Sequence, residues 1–449
     1  MTQVRARRGD REHDPHLAAK RNRYLELLRA PGALAFSSAG FVGRMSMSMY
    51  GLGTVLLIAL LTGHYGEAGT VAAAGAVGYA VLSPVIATGA DRLGQRRVLF
   101  VQAAVFALSS VVFISFAELG APFWTLLVTG LLAGASMPSI GTMVRTRWST
   151  LVDGDAQRLH TAFALESVND EFIFVIGPAL VTLLATQLFP ASGIGTASLL
   201  CIVGTLLLAA QRRTEPTPKP KPKPKQTRDT VAAPAPAPRL RPWQRLGPVG
   251  WPSLPAAGLV TLAPAFLLFG AMFSAIDLST VAFATDLGHR PVAGLILGTY
   301  AFGSAVGGLW YGSRHWTAPL GRRFTITAAL TVAGVSAFWA VPGLLVLDAV
   351  GFIAGLAISP TLMTGYAILE RQAPPHRTTE AMAWLSSTIS VGVAVGSAFS
   401  GHIIDAVGAR WSFAFAACCG AAGVLICVAG RRRLRTNDDP QQAELSAAT

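Results

Sequence analysis

Three carboxylates lie in a part of this sequence that offers them no water. Glu166, Asp170 and Glu171 stand within the apolar stretch 161–185, and Arg44 stands within another, 34–61. Glu166 and Asp170 are four residues apart, so a helix places them on one face. At 1.5 Å per residue, Asp170 lies roughly 14 Å in from the start of its stretch, and Arg44 lies at a similar depth in its own. An ion pair that fixes helix packing is the plainest role for such groups. One arginine, however, cannot neutralise three carboxylates. At least one acid is expected to hold a proton, a cation or a cationic substrate.

Charges inside apolar stretches are costly and face a cavity or a partner. Besides these four, only Asp277 and Asp348 occur within such stretches. Asp277 is deep enough to be either a cavity residue or a structural partner. Asp348 is near the end of its stretch, where a carboxylate can reach the surface. Other chemistries find no residues to carry them. The histidines are scattered, without metal-ligand spacing to Cys or acid. There is no Gly-Lys dipeptide, hence no phosphate-binding loop of the ATPase kind, and no G-x-S-x-G. No cofactor, metal or enzymatic activity is expected.

The elements that must position these groups are set by composition. The chain has 449 residues, 52% hydrophobic and 13% charged, where a soluble protein carries about a quarter charged. A bilayer core about 30 Å thick needs roughly 20 apolar residues in a helix, and the absence of water forces each such run to be helical. Six runs fit in the first half: 34–61, 70–90, 98–117, 122–144, 161–185 and 193–210. Six follow: 256–284, 292–311, 324–341, 344–369, 381–404 and 411–429. The patterning therefore predicts an all-α membrane protein of twelve transmembrane helices in two six-helix bundles, 34–210 and 256–430. The four cysteines lie inside apolar runs and are expected to be small core residues.

Charge placement tests the count. With this alternation, 33 of the 36 Lys and Arg fall on one side. Cytoplasmic loops attract such residues, so both termini and the mid-chain linker are expected in the cytoplasm. The formal charge of +13 is spread over short segments between apolar runs, which argues against nucleic-acid binding. Residues 1–33 are polar and basic, so the first apolar run is expected to direct insertion itself. Arg outnumbers Lys 31 to 5, a bias of GC-rich bacterial genes that points to a bacterial plasma membrane. The linker 211–255 alternates Lys-Pro and Ala-Pro, and is expected to be an extended, mobile spacer that can touch anionic lipid. Residues 431–449 form a polar tail.

The halves repeat. Gly130, Ala133 and Gly134 match Gly351, Ala354 and Gly355 at an offset of 221, and Ala162, Ala164, Ser167, Gly177 and Ala179 match Ala381, Ala383, Ser386, Gly396 and Ala398 at 219. The acids are not repeated: Leu385, Ile389 and Ser390 stand where a duplicated cluster would be. Between the second and third runs lies Ala87-Thr88-Gly89-Ala90-Asp91-Arg92-Leu93-Gly94-Gln95-Arg96-Arg97. It resembles the G-x-x-x-D-R-x-G-R-R loop of the major facilitator superfamily, with Ala87 and Gln95 as departures. A degenerate copy, Gly308 to Arg314 with Gly321-Arg322-Arg323, stands between the eighth and ninth runs.

The resemblance implies two bundles around a central cavity that opens alternately to either side. It also implies that Asp91, Arg92, Gly94, Arg96 and Arg97 form a cytoplasmic gate loop, with Arg145 among its charged neighbours. A family export motif is only partly met. Gly177-Pro178 is present, but Ile173, Val181 and Thr182 replace its other glycines, and the arginine expected in the fourth helix falls on Gly130. The reading that follows is a monomeric secondary transporter, exporting a small organic molecule against protons. The proton and substrate cavity is expected at Arg44, Glu166, Asp170, Glu171 and Asp277. A proton-linked importer of a sugar or other metabolite is the alternative in the same class. A non-transporting membrane sensor or scaffold is the alternative outside it.

Overall fold

A computed structural model describes residues 25–152, 155–217, 257–314, 316–373 and 378–434. Of the expected mobile linker 211–255, residues 211–217 are described and 218–255 lie outside the described residues, as do residues 1–24 and most of the polar tail. Among the described residues, twelve helices are long and apolar enough to cross a membrane. In the first half these are span 1 (Ala33–Thr62), span 2 (Tyr65–Leu93), span 3 (Gln95–Glu118), span 4 (Phe123–Ser136 and Ile140–Leu151), span 5 (Ala156–Gln187) and span 6 (Pro190–Ala210). In the second half they are span 7 (Ala257–Asp286), span 8 (Val292–Gly312), span 9 (Leu320–Ser336, ending in the 3-10 turn Ala337–Ala340), span 10 (Leu344–Gly355 and Ile358–Gln372), span 11 (Thr378–Val407) and span 12 (Ala409–Ala429). Leu345, Leu108 and Val85 point outward, as lipid-facing side chains do.

Two apolar runs expected to be continuous helices are each broken. Span 4 stops at Ser136 and resumes at Ile140, because Pro138 supplies no N–H and holds Met137 extended (φ −63°, ψ 129°). Span 10 pauses at Leu356 and Ala357, and Pro360 lies in the first turn of its second piece. Span 4 also runs to Leu151, seven residues past the end expected from hydropathy. Arg145 and Arg147 are therefore on a helix, not in a loop. By contrast Pro84, Pro178 and Pro264 interrupt nothing: spans 2, 5 and 7 continue through them.

Connections at two points are a single glycine. Gly94 joins spans 2 and 3, and Gly408 joins spans 11 and 12, both at φ +92°. Such a left-handed angle is strained for other residues.

Within each half, small residues let helices cross closely. A Cβ on Gly134 of span 4 would collide with the backbone of Gly75 in span 2. Its repeat partner Gly355 in span 10 lies against the backbone of Tyr300 and Gly303 in span 8. The duplicated glycines thus make duplicated contacts. Gly134→Leu is expected to destabilise the fold by about 1–3 kcal/mol, the usual cost of overpacking. Gly195→Leu, where nothing lies within 4 Å, should be nearly neutral. Unfolding temperatures of the two variants in detergent compare them, and equal values would show the span 2–span 4 crossing to be loose. Between the halves, span 2 packs on span 11 and span 5 on span 8.

Candidate functional site

The charged cluster is built by spans 1, 4 and 5. Arg44 is 1% exposed and Glu166 is 0% exposed, and they form an ion pair through Nη2 and Oε2. Arg44 Nη1 donates to Asp170 Oδ1 at 2.7 Å, and its Nε donates to the Gly40 carbonyl one turn earlier, at 3.2 Å. The second Glu166 oxygen accepts from Ser37 Oγ (2.8 Å) and Trp148 Nε1 (2.7 Å). Asp170 Oδ2 accepts from Arg145 Nη2 at 2.9 Å. Glu166 and Asp170 are thus matched by Arg44 and Arg145. Trp148 became a partner only because span 4 extends past the hydropathy limit, so the sequence offered little to find it by.

Glu171 is one residue further and faces elsewhere. Its Oε1 accepts from Ser359 Oγ of span 10 at 2.9 Å, across the divide between the halves. Of the three acids of span 5, it alone has no cation among the described residues. It opens onto a central cavity of about 590 Å³ lined by both halves. The walls are largely apolar and aromatic. Among the described residues, the charged side chains in them are Asp170, Glu171 and Asp277, with no Lys, Arg or His. Asp277 of span 7 makes no hydrogen bond or ion pair with the described residues, so the structural-partner role finds no partner. Asp348, by contrast, does not line the cavity.

The face opposite the termini is closed. The Asp405 carboxylate of span 11 accepts from the N–H groups of Tyr65 (2.8 Å) and Gly66 (2.7 Å) at the start of span 2. Tyr65 Oη reaches Thr285 Oγ1 at 3.1 Å, and Thr70 Oγ1 lies 3.3 Å from His402 Nε2. Glu171–Ser359 adds a hydrogen bond between the halves at mid-depth.

Of the gate loop, Arg92 and Arg97 are exposed, and the side chain of Asp91 lies outside the described residues. Arg96 N–H donates to Glu215 Oε1 at 2.8 Å. Arg145, grouped with this loop by sequence, is engaged by Asp170 instead. Gln95, the departure from the motif, is buried and accepts from Arg147 Nε at 2.9 Å. Arg147 Nη1 also donates to the Gln211 carbonyl and to Thr214 Oγ1, both at 3.0 Å. A basic residue at 95 would oppose Arg147, so the departure is matched by its neighbour. Gly177 is buried against Ser48 and Met49 of span 1, and Pro178 lines the cavity.

Twelve spans in two like halves, closed at one face over a cavity between them, define a secondary transporter. The chain belongs to the major facilitator superfamily, whose family model matches residues 36–289 and 262–448. No curated protein matches the sequence. Its fold is similar to the peptide transporter PepTSo of the POT family (TM-score 0.65, 12% identity, 90% of this chain and 98% of that one). It is also similar to a bacterial homologue of the iron transporter ferroportin in an inward-facing state (0.63, 12%, 90% and 99%). The nucleoside transporter NupG is a third (0.60, 16%, 89% and 98%). At these identities the likeness is one of fold.

Proposed function

We propose that this protein is a proton-coupled antiporter that exports a small organic molecule across the bacterial plasma membrane, with both termini cytoplasmic. One observation carries the reading. Glu171 has no cation among the described residues, opens on the cavity and bonds to Ser359 in the other half. A carboxylate in that position can take up a proton and thereby change a contact between the halves. Proton occupancy and the opening of the cavity are then linked. Glu166 has a different role: it is fully enclosed by donors and holds spans 1, 4 and 5 together. Asp170, shared by two arginines, links that scaffold to the cavity.

The test uses purified protein in liposomes with an imposed pH gradient and a panel of antibiotics and sugars. Glu171→Gln should reduce gradient-driven accumulation to background while leaving exchange at equal pH. Glu166→Gln should instead lower the yield of folded protein. Full accumulation by Glu171→Gln would remove Glu171 as the carrier. Movement of substrate in the same direction as protons would make the protein an importer.

A further inference from the structure

The cavity holds more acid than the scaffold neutralises, and the two surplus carboxylates are on different halves. Glu166 and Asp170 are balanced by Arg44 and Arg145. Glu171 is left on the first half and Asp277 on the second. Tyr300 of span 8 lines the same cavity, near enough to feel the charge of Asp277. Tyr300 is 9% exposed, and its hydroxyl is buried with no hydrogen-bond partner among the described residues. Buried hydroxyls are seldom left so. Both residues line the cavity.

We propose that Asp277 and Tyr300 form the recognition site for an organic cation, which is the substrate class of this transporter. The inference rests on the export reading above and names what is carried. A cationic nitrogen would lie against the Asp277 carboxylate, with the Tyr300 oxygen as a further acceptor. Phe273 precedes Asp277 by four residues, so it shares that face of span 7 and lines the same wall. Its ring can offer its negative face to the cation. Phe174, Leu297, Ile358 and Leu362 supply an apolar wall for the body of the molecule. The volume of about 590 Å³ falls within the range of sites for drug-sized ligands.

Three other classes fit less well. An anion would meet three acids and no lining base. A sugar needs many free polar groups around it, whereas four of the six serines in these walls bond one another, as Ser274–Ser397 and Ser304–Ser359, and most of the surface is apolar. A metal ion needs several ligands together, and no group of three His, Cys, Asp or Glu that could hold one occurs among the described residues.

The experiment measures equilibrium binding to purified full-length protein in lipid nanodiscs, without a pH gradient. The probes are tetraphenylphosphonium and tetraphenylborate, nearly the same in shape and opposite in charge. Wild type should bind the cation and not the anion. Asp277→Asn should weaken cation binding at least about tenfold, as expected for losing a desolvated charge pair. Asp277→Glu should retain binding, and Tyr300→Phe should weaken it less than Asp277→Asn. Unfolding temperature checks that each variant is folded. Equal binding of the two ions, no binding of the cation, or unchanged affinity in folded Asp277→Asn would each overturn the proposal. If Asp277→Asn does not fold, Tyr300→Phe decides it, and unchanged cation affinity in folded Tyr300→Phe would then overturn the proposal. Because binding is read without a gradient, these outcomes are independent of proton coupling. Failure of the antiport reading would show in the accumulation assay with Glu171→Gln instead.

Discussion

Arg44→Ala is expected to remove most of the folded protein. The guanidinium bonds to Glu166, Asp170 and the Gly40 carbonyl from a site that is 1% exposed. Deleting it leaves Glu166 with Ser37 and Trp148 as donors but no countercharge, in a place water does not reach. Breaking a buried pair by removing one partner costs about 3–5 kcal/mol, a large share of the roughly 5–15 kcal/mol that holds a typical domain folded. Arg44→Lys should be nearly as harmful. A single ammonium cannot present two separate N–H directions to two carboxylates as the guanidinium fork does. Adding Glu166→Gln to Arg44→Ala should restore part of the yield, since it removes the stranded charge. Size-exclusion profiles and unfolding temperatures in detergent provide the check. A wild-type unfolding temperature for Arg44→Ala would show that the pair does not hold the three spans together.

Asp405→Ala is expected to open the far face. The carboxylate closes it by accepting from two N–H groups at the start of span 2, which no earlier turn of that helix can satisfy. The positive end of the helix adds to the attraction. Because Asp405 is exposed, water replaces part of what is lost. A shift of about 1–2 kcal/mol in the balance of the two states, or roughly 5–30-fold, is therefore reasonable. Leu278→Cys reports it, since Leu278 lines the cavity. The background would have Cys201, Cys418, Cys419 and Cys427 replaced by serine. Labelling by an impermeant thiol reagent added from the far side should rise by that factor. Labelling unchanged by Asp405→Ala would mean that Tyr65–Thr285 and Thr70–His402 hold the face closed without it.

The spans were readable from sequence because bilayer thickness is a length and apolar runs have lengths. Their number, the two halves and the break-free passage through Pro84, Pro178 and Pro264 all agree with that simple physics. Where polar atoms found partners inside the protein, hydropathy failed. Span 4 continues past residue 144, where the buried Arg147 bonds to Gln95 and Thr214 and the exposed Arg145 bonds to Asp170. A window of hydropathy counts those arginines as costs and cannot see their partners.

The same limit divides the site. Composition and helical spacing alone put Glu166, Asp170 and Glu171 together, set Arg44 at their depth and marked Asp277 as buried charge. They set Glu171 about 100° round the helix from Asp170, but not what either direction meets. Tertiary structure decided that Glu166 faces Ser37, Arg44 and Trp148, while Glu171 faces Ser359 in the other half. The far-face closure was likewise invisible. Asp405 and Tyr65 are 340 residues apart, and neither lies in a motif. Local sequence determines how far each helix runs and which residues share a face. Which face meets which, and so which carboxylate is left without a cation, depends on how twelve helices pack.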